Sequence, residues 1–408
     1  MTNWNTYKLE EVISDFIDYR GKTPPKVSSG IPLITAKVVK SGSINEPNEF
    51  VPEAIYDKWM TRGIPEYGDV LLTTEAPLGE VAQLKFKHKV VVGQRLITLR
   101  GKNDILDNTY LKYSLQTKEM QARMEAVATG TTVIGIKSAE LRKVEIDLPD
   151  LPSQYRIAEI LSALDDKIEL NRRMNQTLEQ MAQTLFRQYF VDGIDEDNLP
   201  EGWREGKLGD IVDVKGGTTP STKQPEFWNG SINWTSPKDL SSVRFPVLLD
   251  TEKKITEAGL KKISSGLLPV GTLLLSSRAP IGYLAITQIP VAINQGYIAI
   301  LCEKGYSNYF MLFWLKENMS TIIQNANGST FLEISKSVFK SIDLSIPPVE
   351  LVEEFDAKVD ALFQKLVLNE KESIKLTQLR DTLLPKLMSG EIDVMQIKPE
   401  ELHEPVLS

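Results

Sequence analysis

The chain repeats itself with a period near 200 residues, and this repeat restricts the possible folds more than any other feature. The clearest pair is residues 68–79 (GDVLLTTEAPLG) and residues 271–282 (GTLLLSSRAPIG). The offset between matched residues runs from 196 (Gly21 to Gly217) to 203 (Gly68 to Gly271). The other matched positions are Trp4 and Trp203, Leu9 and Leu208, residues 31–35 and 232–236, Gln94 and Gln295, and residues 130–132 and 328–330. We therefore expect a duplicated unit, in agreement with a length of 408 residues, which is too long for one ordinary domain.

Each repeat combines strand-like runs with a helix, the pattern of a mixed α+β domain built on a curved sheet. The predicted strands are short apolar or β-branched runs bounded by Gly and Pro, at Val70–Leu72, Val90–Val92, Leu96–Leu99, Leu273–Leu275 and Ile298–Leu301. One helix is predicted near Leu111–Val127 in the first repeat, and its counterpart near Phe310–Gln324 in the second.

A longer helix with a heptad pattern is predicted after each repeat. The first opens at residues 151–153 (LPS), where Ser153 is suited to cap it. Spacings of four and three alternate between the apolar residues, as in the seam of a coiled coil. The seam residues are Ile157, Leu161, Leu164, Ile168, Asn171, Asn175, Leu178, Ala182, Leu185 and Tyr189 in the first helix, and Phe355, Val359, Leu362, Leu366, Asn369, Ser373, Leu376, Arg380 and Leu383 in the second.

Both seams carry a polar layer at the same place. Asn171 and Asn369 occupy equivalent positions, as do Asn175 and Ser373. Such a layer fixes the register of paired helices at some cost in stability. The alternative is that each helix packs on its own domain and leaves these side chains at exposed edges. On the first interpretation, two long antiparallel coiled-coil helices join the two duplicated domains in a pseudo-twofold circular arrangement.

Charge is distributed unevenly along the chain. The expected segments are globular domains at residues 1–150 and 203–346, helices at 151–191 and 347–385, a linker at 192–202 and a tail at 386–408. The net charge of -8 argues at first sight against nucleic acid, because DNA-binding domains are usually basic. However, residues 1–150 hold 20 basic and 20 acidic residues and residues 196–346 hold 15 of each, so the acidic excess lies outside them. Charge therefore leaves nucleic-acid binding open.

Motifs for catalysis are missing. The sequence has no Gly-x-Gly-x-x-Gly, no phosphate loop, and neither an Asn-Pro-Pro-aromatic nor an Asp-Pro-Pro-Tyr tetrapeptide. Two histidines and the single Cys302 leave little for metal ligation, and residues 165–166 (DD) are expected on an ordinary solvated helix face. One cysteine and no run near 18 apolar residues fit a cytoplasmic protein. We predict no catalytic residue and no metal site.

Several stretches resemble the specificity subunits of Type I restriction-modification systems. Residues 151–171 (LPSQYRIAEILSALDDKIELN) resemble the central helix of that family, and residues 379–392 (LRDTLLPKLMSGEI) resemble the end of its second helix. The Ala-Pro-hydrophobic-Gly turns at Ala76 and Ala279 and the Trp-x4-Leu openings match its target recognition domains. The resemblance covers nearly the whole chain in the right order.

The resemblance implies a non-catalytic subunit whose two target recognition domains each bind one half of a gapped, bipartite site in double-stranded DNA. It further implies that the helices dock two modification (methyltransferase) subunits, which bring S-adenosylmethionine and flip out the target adenine. A motor-nuclease restriction subunit, using ATP and Mg²⁺, would join them, and this chain itself would hold no cofactor. Residues 157–189 span about 48 Å at about 1.5 Å per residue, so the helix would separate the half-sites by about one turn of B-DNA or slightly more.

Side chains that contact DNA are expected on loops held by a rigid sheet. Arg95 and Arg278 suit guanine and Gln94 and Gln295 suit adenine, whereas residues 85–89 (KFKHK), which have no basic counterpart, suit phosphate. The candidates are Lys22, Thr23, Lys37, Thr73, Thr74, Lys85, Lys87, Lys89, Gln94, Arg95, Thr131, Thr218, Thr219, Lys238, Ser276, Ser277, Arg278, Gln295 and Ser329. The alternative is that positions shared by both halves maintain the fold, and that specificity lies where the halves differ.

Two other functions are alternatives. A stand-alone DNA methyltransferase or nuclease with divergent motifs would turn over DNA with Mg²⁺ and S-adenosylmethionine in the absence of partners. A coiled-coil scaffold that never meets DNA would retain none, even with a modification partner present.

Overall fold

A computed structural model describes residues 4–21, 23–40, 42–130, 132–195, 197–278, 280–328 and 332–396. The chain divides into two compact units, each of which contains one repeat and a part of both long helices. The first unit is Met1–Ile168 with Lys375–Ser408, and the second unit is Glu169–Ile374. Each boundary between the units therefore falls inside a long helix.

The elements of the first unit begin with a short strand and end beside the second long helix. Its strands are β1 (Asn5–Lys8), β2 (Ile13–Asp18), β3 (Ile31–Ile34), β4 (Val39–Lys40), β5 (Ser43–Ile44), β6 (Phe50–Val51), β7 (Val70–Thr74), β8 (Leu78–Gln83), β9 (Val91–Val92), β10 (Leu96–Gly101) and β11 (Glu145–Leu148). Its helices are α1 (Leu9–Val12), α2 (Tyr56–Trp59), α3 (Asn108–Gln116), α4 (Lys118–Ala126) and α5 (Ser138–Leu141), with 3-10 turns at Glu53–Ile55 and Val394–Gln396.

The second unit repeats this order, and the two long helices, α6 (Leu151–Phe190) and α13 (Val349–Met388), follow the two repeats. The strands of the second unit are β12 (Arg204–Lys207), β13 (Asp213–Lys215), β14 (Trp228–Thr235), β15 (Val247–Leu248), β16 (Lys253–Ile255), β17 (Leu273–Ser277), β18 (Ile281–Thr287), β19 (Ala292–Ile293), β20 (Tyr297–Leu301) and β21 (Asp343–Ile346). Its helices are α7 (Leu208–Ile211), α8 (Pro237–Ser241), α9 (Glu257–Leu260), α10 (Asn308–Glu317), α11 (Met319–Gln324) and α12 (Lys336–Lys340), with a 3-10 turn at Pro225–Phe227.

The pairing of the strands confirms the duplicated α+β fold. The central sheet has the order β2-β10-β7-β8 in the first unit and β13-β20-β17-β18-β15 in the second. Residues that the repeat matches occupy the same register, since Leu72 pairs with Ile97 and Leu275 pairs with Ile298. A parallel pair also recurs, as β3 with β9 and as β14 with β19. The predicted strands are thus confirmed.

The single helix predicted in each repeat is interrupted once. In the first unit, Thr117 has an extended backbone between α3 and α4, and its hydroxyl accepts a hydrogen bond from the Met120 amide. A threonine that caps a new helix in this way ends the previous one. In the second unit, Asn318 separates α10 from α11.

Both long helices contribute to the core of the unit in which each part lies. In the first unit, Leu161 and Leu387 pack with buried residues of the central sheet and of α3. In the second unit, Phe186 and Phe355 do the same with the sheet and α10. Burial of one such side chain contributes roughly 1.5–3 kcal/mol. Because Leu387 and Val394 are 1% and 4% exposed, the segment expected to be a tail begins inside a core.

The long helices differ slightly from their predicted limits. Helix α6 begins at Leu151, and the carboxylate of Asp150 accepts a hydrogen bond from the Ser153 amide at 3.0 Å. Asp150 therefore caps the helix, and the cap predicted at Ser153 is wrong because that side chain is buried in the first turn. Helix α13 ends at Met388 rather than at residue 385, with Pro385 inside its last turn.

The heptad seams are buried or half-buried along both helices, as predicted. In the second unit the polar layer is fully enclosed, because Asn171, Asn175 and Asn369 are at most 1% exposed. The Asn369 side-chain Nδ2 donates to the Asn175 side-chain Oδ1 at 2.8 Å, and the Asn171 side-chain Nδ2 donates to the Glu372 carboxylate at 2.8 Å. These contacts join the last part of α6 to the first part of α13 in antiparallel order. The alternative of solvent-exposed asparagines is therefore wrong.

An ionic cluster lies at the junction of α3 with the long helices in the first unit. The carboxylate of Asp165 on α6 accepts from Lys112 at 2.5 Å, from the Tyr113 hydroxyl at 2.7 Å and from Arg380 on α13 at 2.9 Å. Burial raises the pKa of Asp165, but these three donors outweigh it and hold the pKa below its usual value. Asp166 is exposed as predicted, whereas the solvated face predicted for Asp165 is wrong because its side chain is only 17% exposed.

The second unit makes the same junction with apolar side chains. An offset of 200 between the helix caps Asp107 and Ser307 matches Lys112 to Leu312, and the offset of 198 between Asn171 and Asn369 matches Asp165 to Phe363 and Arg380 to Ala182. All three counterparts belong to the buried core of the second unit. The two units therefore hold their long helices by different chemistry at one equivalent place.

Two features are absent from the residues that the structure describes. None of their helices is long and apolar enough to cross a membrane. Nor do they contain a group of three or more His, Cys, Asp or Glu side chains placed to hold a metal ion.

Candidate nucleic-acid interface

One edge of the central sheet collects loops from distant parts of each repeat. We call it the hairpin edge. Its described residues are 75–77, 93–95, 129–130 and 132–137 in the first unit, and 278, 280, 294–296, 327–328 and 332–336 in the second. The end of β7 is bonded to two of these loops, through the Thr74 amide to Arg95 O at 2.9 Å and the Ile136 amide to Thr74 O at 2.9 Å. Equivalent bonds join Ser277 to Gly296 and Ile334 to Ser277, at 2.8 and 3.0 Å. Backbone hydrogen bonds thus build both edges alike.

Basic side chains surround the hairpin edge of the first unit. Arg20 forms a bidentate pair with Asp18 and also donates to Ile136 O at 2.9 Å. Arg62 donates to the carbonyls of Asp18 and Arg20 at 2.9 and 3.0 Å, so it lies beside the same loop. Arg95 pairs with Glu75 at 3.2 Å, and each side chain stays about half exposed. Lys137, one residue after Ile136, is exposed.

The second unit places basic groups at the same edge from different positions. The ammonium of Lys336 lies over Gly216, where a Cβ would approach it to 3.1 Å, and Lys215 is the exposed neighbour of that glycine. Lys262 is close by, because its carbonyl accepts a hydrogen bond from Thr218 at 2.7 Å. Arg278 approaches Glu333 at 3.7 Å.

The charge of these edges differs from that of the whole domains. Around the first edge, four basic groups (Arg20, Arg62, Arg95 and Lys137) face two carboxylates, those of Asp18 and Glu75. Around the second edge lie four basic groups (Lys215, Lys262, Arg278 and Lys336) and the carboxylate of Glu333, and Lys238 with Glu252 adds a neutral ion pair. Each edge is thus net positive, although each repeat as a whole is neutral or nearly so. A phosphate backbone is the natural partner of such a surface.

The structure brings several predicted candidates to these edges. In the second unit, the Thr219 hydroxyl donates to the Gln295 carbonyl at 2.6 Å, and Lys238 pairs with Glu252 beside the Pro237–Gly296 contact. In the first unit, Gln94 is exposed next to Arg95. Thr23 and Lys37 are exposed, and both remain predictions. Lys22, Thr131 and Ser329 lie outside the described residues.

Four hydroxyl-bearing candidates are enclosed by the fold. Thr73, Thr74, Ser276 and Ser277 are at most 2% exposed. The Thr73 hydroxyl accepts from the Glu80 amide and the Ser276 hydroxyl accepts from the Tyr283 amide, both at 2.8 Å, so each closes its β-hairpin. Buried groups with partners inside the protein offer DNA no surface. These four side chains therefore follow the alternative interpretation, in which shared positions maintain the fold.

The basic run at residues 85–89 lies away from the hairpin edge. It follows the far end of β8, where Gln83 pairs with Val70 of β7. Val70 lies about 14 Å from Thr74 along β7, at about 3.4 Å per residue. Lys85 is paired with Asp166 of α6 at 2.6 Å, and the ammonium of Lys89 sits 4.8 Å from the centre of the Tyr56 ring. Phosphate contact by Lys85, Lys87 and Lys89 stays a prediction, separate from this edge.

The sequence did not single out Arg20, Arg62, Lys137, Lys262 or Lys336. These residues come together from segments as much as 116 residues apart, as Arg20 and Ile136 do. Their signal in the sequence was weak, because each lies in a segment of mixed composition and not in a long basic run. A useful clue was available for Arg20 and Lys215, which both lie within two residues of the matched glycines Gly21 and Gly217.

Two repeated α+β domains, each with a basic hairpin edge and a long helix behind it, define a two-headed nucleic-acid recognition protein. The family model for the "Type I restriction modification DNA specificity domain" matches the chain twice, at residues 1–180 and 200–378. The chain therefore belongs to this family.

Proteins of the same kind are found among curated relatives and solved structures. The MjaIX type I restriction enzyme specificity subunit of Methanocaldococcus jannaschii is 29% identical over 355 residues, covering 81% of this chain and 79% of that protein. The HindI specificity subunit of Haemophilus influenzae is 26% identical and covers 66% and 74%. The crystal structure of the type I S subunit from M. genitalium, at 20% identity, superposes with a TM-score of 0.60 over 95% of this chain and 96% of that one. This likeness confirms the fold of two repeated domains with long helices.

Proposed function

We propose that this protein is the DNA-specificity subunit of a Type I restriction-modification complex and that it catalyses nothing by itself. Each unit binds one half of a gapped, bipartite site in double-stranded DNA. The observation that carries the proposal is the recurrence of a net positive hairpin edge at the same place in two repeats of the family's specificity domain. Two separate readers in one chain match a target with two separate halves.

The roles of the side chains follow from their charge and position. Arg62, Lys137, Lys262 and Lys336 contact phosphates, which position the domain without reading sequence. Gln94, Arg95, Arg278 and Gln295 are the candidates for base edges, with arginine suited to guanine and glutamine to adenine. The carboxylates of Glu75 and Glu333 hold the two arginines in place until DNA replaces them.

The long helices serve assembly and spacing in this proposal. They dock two modification subunits, which supply S-adenosylmethionine and act on adenine N6, and a restriction subunit that uses ATP and Mg²⁺ completes the complex. The enclosed Asn171, Asn175 and Asn369 fix the register of the helix pair and thereby the gap. The complex acts in the prokaryotic cytoplasm, where its DNA target is found.

The test is to co-express the chain with its modification subunit and to map methylated adenines across a genome. We expect a two-part motif with a fixed, unspecified gap. Exchange of residues 203–346 for another recognition domain should alter one half of the motif only. Methylation by the chain alone, or a continuous motif that survives the exchange unchanged, would refute the proposal.

The gap itself can be tested by adding seven residues within residues 176–185 of α6. The insertion displaces the two readers by about 10 Å at 1.5 Å per residue, or roughly three base pairs. The gap should change or methylation should cease. An unaltered gap at full activity would contradict the role of the helices as spacers.

The phosphate contacts can be tested separately with Lys336→Ala in the assembled complex. Affinity should fall for all DNA sequences, and the slope of log affinity against log salt should decrease by about 1. Lys304→Ala is the matched control, because Lys304 follows the far end of β20 and pairs with Asp213. An equal change in both variants would show that the hairpin edge does not contact the DNA.

A further inference from the structure

An exposed apolar tip projects from the hairpin edge of each unit. In the first unit Val133 and Ile134 are 52% and 55% exposed, and in the second unit Leu332, the residue matched to Ile134, is 47% exposed. Single exposed apolar side chains are common on protein surfaces, so one such residue has no meaning by itself. Their recurrence at one place in both repeats makes a chance exposure a poor explanation.

Backbone hydrogen bonds fix the residues at either end of each tip. The Thr129 and Gly135 backbones exchange two hydrogen bonds, at 2.8 and 3.0 Å, and Asn327 and Glu333 do the same at 3.0 and 2.9 Å. Gly130 makes the first loop possible, because it has a φ of +123° and a Cβ there would lie 2.1 Å from Val133 O. Ile134 and Leu332 each adjoin one of these bonded residues, Gly135 and Glu333, and are therefore held close to the end of the central sheet.

The surroundings of the tips are complementary to DNA. Arg95 and Lys137 flank the first tip through Glu75 and Ile136. In the second unit Arg278 is bridged to Glu333, and Lys336 follows three residues later in the chain. A modification subunit or a second protein would have to cover both the apolar tip and this net positive rim. Duplex DNA satisfies both, since its phosphates match the rim and one base edge carries an apolar group, the C5-methyl of thymine.

We infer that the tips at Ile134 and Leu332 read thymine methyl groups, one in each half of the target. The inference rests on the proposed function and adds a base-reading contact to it. It also explains why a readout residue can lie in a segment that both repeats share. The loop is common, whereas the side chains differ, with VI at residues 133–134 and FL at 331–332.

The test uses the complex with its modification subunit and duplexes of about 40 base pairs that carry the mapped target. Deoxyuridine replaces each thymine in turn, which removes only the methyl group. For the wild type, one position in the half-site of the first unit should lose about fourfold in affinity, the value for one buried methyl group. In Ile134→Ala this loss should disappear, whereas the corresponding loss in the other half-site should persist. Leu332→Ala should show the opposite pattern.

A matched control is Ile105→Ala, because Ile105 is 40% exposed in the turn after the far end of β10. This variant should keep both deoxyuridine effects. The inference is overturned if no thymine position is sensitive in the wild type, or if Ile134→Ala keeps the sensitivity. It is also overturned if Ile134→Ala weakens assembly with the modification subunit equally on all DNA. In each of these cases the wild type still binds its target, whereas failure of the proposed function would abolish specific binding altogether.

Discussion

The ionic cluster of the first unit allows a quantitative test of how that unit is held together. The change is Asp165→Ala, which leaves the ammonium of Lys112 without its carboxylate. Lys112 is 4% exposed, and burial already lowers its pKa below the usual value against the opposing effect of Asp165. Arg380 loses the same acceptor but retains Asp381 at 2.8 Å. The main consequence is therefore one buried, uncompensated cation.

The size of the effect follows from the low exposure of the cluster. The side chains of Lys112, Asp165 and Arg380 are 5%, 17% and 21% exposed, so water screens them little. Removal of one partner from a buried ion pair costs about 3–5 kcal/mol. In Asp166→Ala, the adjacent control, an exposed pair with Lys85 is lost, which costs about 0–1 kcal/mol.

Hydrogen exchange measured by mass spectrometry separates the two units within one sample. Amides of α3 should exchange about 150-fold faster in Asp165→Ala, which corresponds to about 3 kcal/mol. Amides of α10 should exchange as in the wild type, because the matched junction of the second unit is apolar. Equal loss of protection in α3 and α10, or the same result from Asp166→Ala, would refute the reasoning.

The pH dependence provides a second check on the same variant. The pKa of Asp165 is lower in the folded protein than in the unfolded chain. Its stabilisation is therefore complete above the unfolded pKa of about 4 and is lost as the pH falls through the folded value. Between pH 6 and pH 8 this carboxylate therefore adds no pH dependence to the difference between wild type and variant. A smaller difference at pH 8 than at pH 6 would show that the unpaired Lys112 loses its proton.

A rescue variant distinguishes the missing charge from a missing shape. Lys112→Leu, Asp165→Phe and Arg380→Ala together install the side chains that the second unit has at these positions. Replacement of a buried ionic cluster by well-packed apolar groups is often neutral or stabilising. Protection of α3 should recover to within about tenfold of the wild type, the size of a well-tolerated core replacement.

Two further predictions concern the second unit, and urea unfolding measures both. Asn369→Leu should lower the free energy of unfolding by about 1–3 kcal/mol, because the buried Asn175 carbonyl loses its donor; unchanged stability would contradict this. Burial raises the pKa of Asp356 to about 6, so the wild type loses stability as the pH rises from about 4 through that value. The gain in stability from Asp356→Asn should therefore be about 1 kcal/mol larger at pH 8 than at pH 5. An equal gain at both pH values would refute the assignment.

The parts of the fold that depend on periodicity were predictable from the sequence. The repeat gave the two α+β domains, and the spacing of the seam residues gave both long helices to within a few residues at each end. The polar layer was predictable because Asn171 and Asn369 interrupt otherwise apolar seams at matched positions. Each of these features is visible in the sequence as a spacing of residue types that recurs along the chain.

Features that depend on long-range contacts were not predictable in this way. Asp165 looks like half of an exposed acidic pair, and only the fold brings it to Lys112 and Arg380, 53 and 215 residues away. The position of Lys112 within the apolar run at residues 110–115 was the available clue, since a charge on a buried helix face needs a partner.

The candidate interface was likewise predictable where it follows the repeat, and not where it depends on long-range contacts. The sequence identified the loops that form the hairpin edge, because the repeat marks residues 94–95 and 130–132. It did not separate the enclosed hydroxyls of Thr73 and Ser276 from exposed side chains, since strands β7 and β17 are buried on both faces. The basic residues around the edge come from loops whose proximity only the strand order determines.

The differing junctions of the two units have a consequence for grafting recognition domains between specificity subunits. A donor domain placed in the first position packs against Asp165 and Arg380 of the long helices. It therefore needs a basic side chain at the position of Lys112. A donor domain placed in the second position packs against Ala182 and Phe363 and needs an apolar side chain at the position of Leu312. The two domain positions are thus not interchangeable. A mismatched donor should therefore lower the stability of its unit, and this loss should be measured separately from the DNA preference of the chimaera.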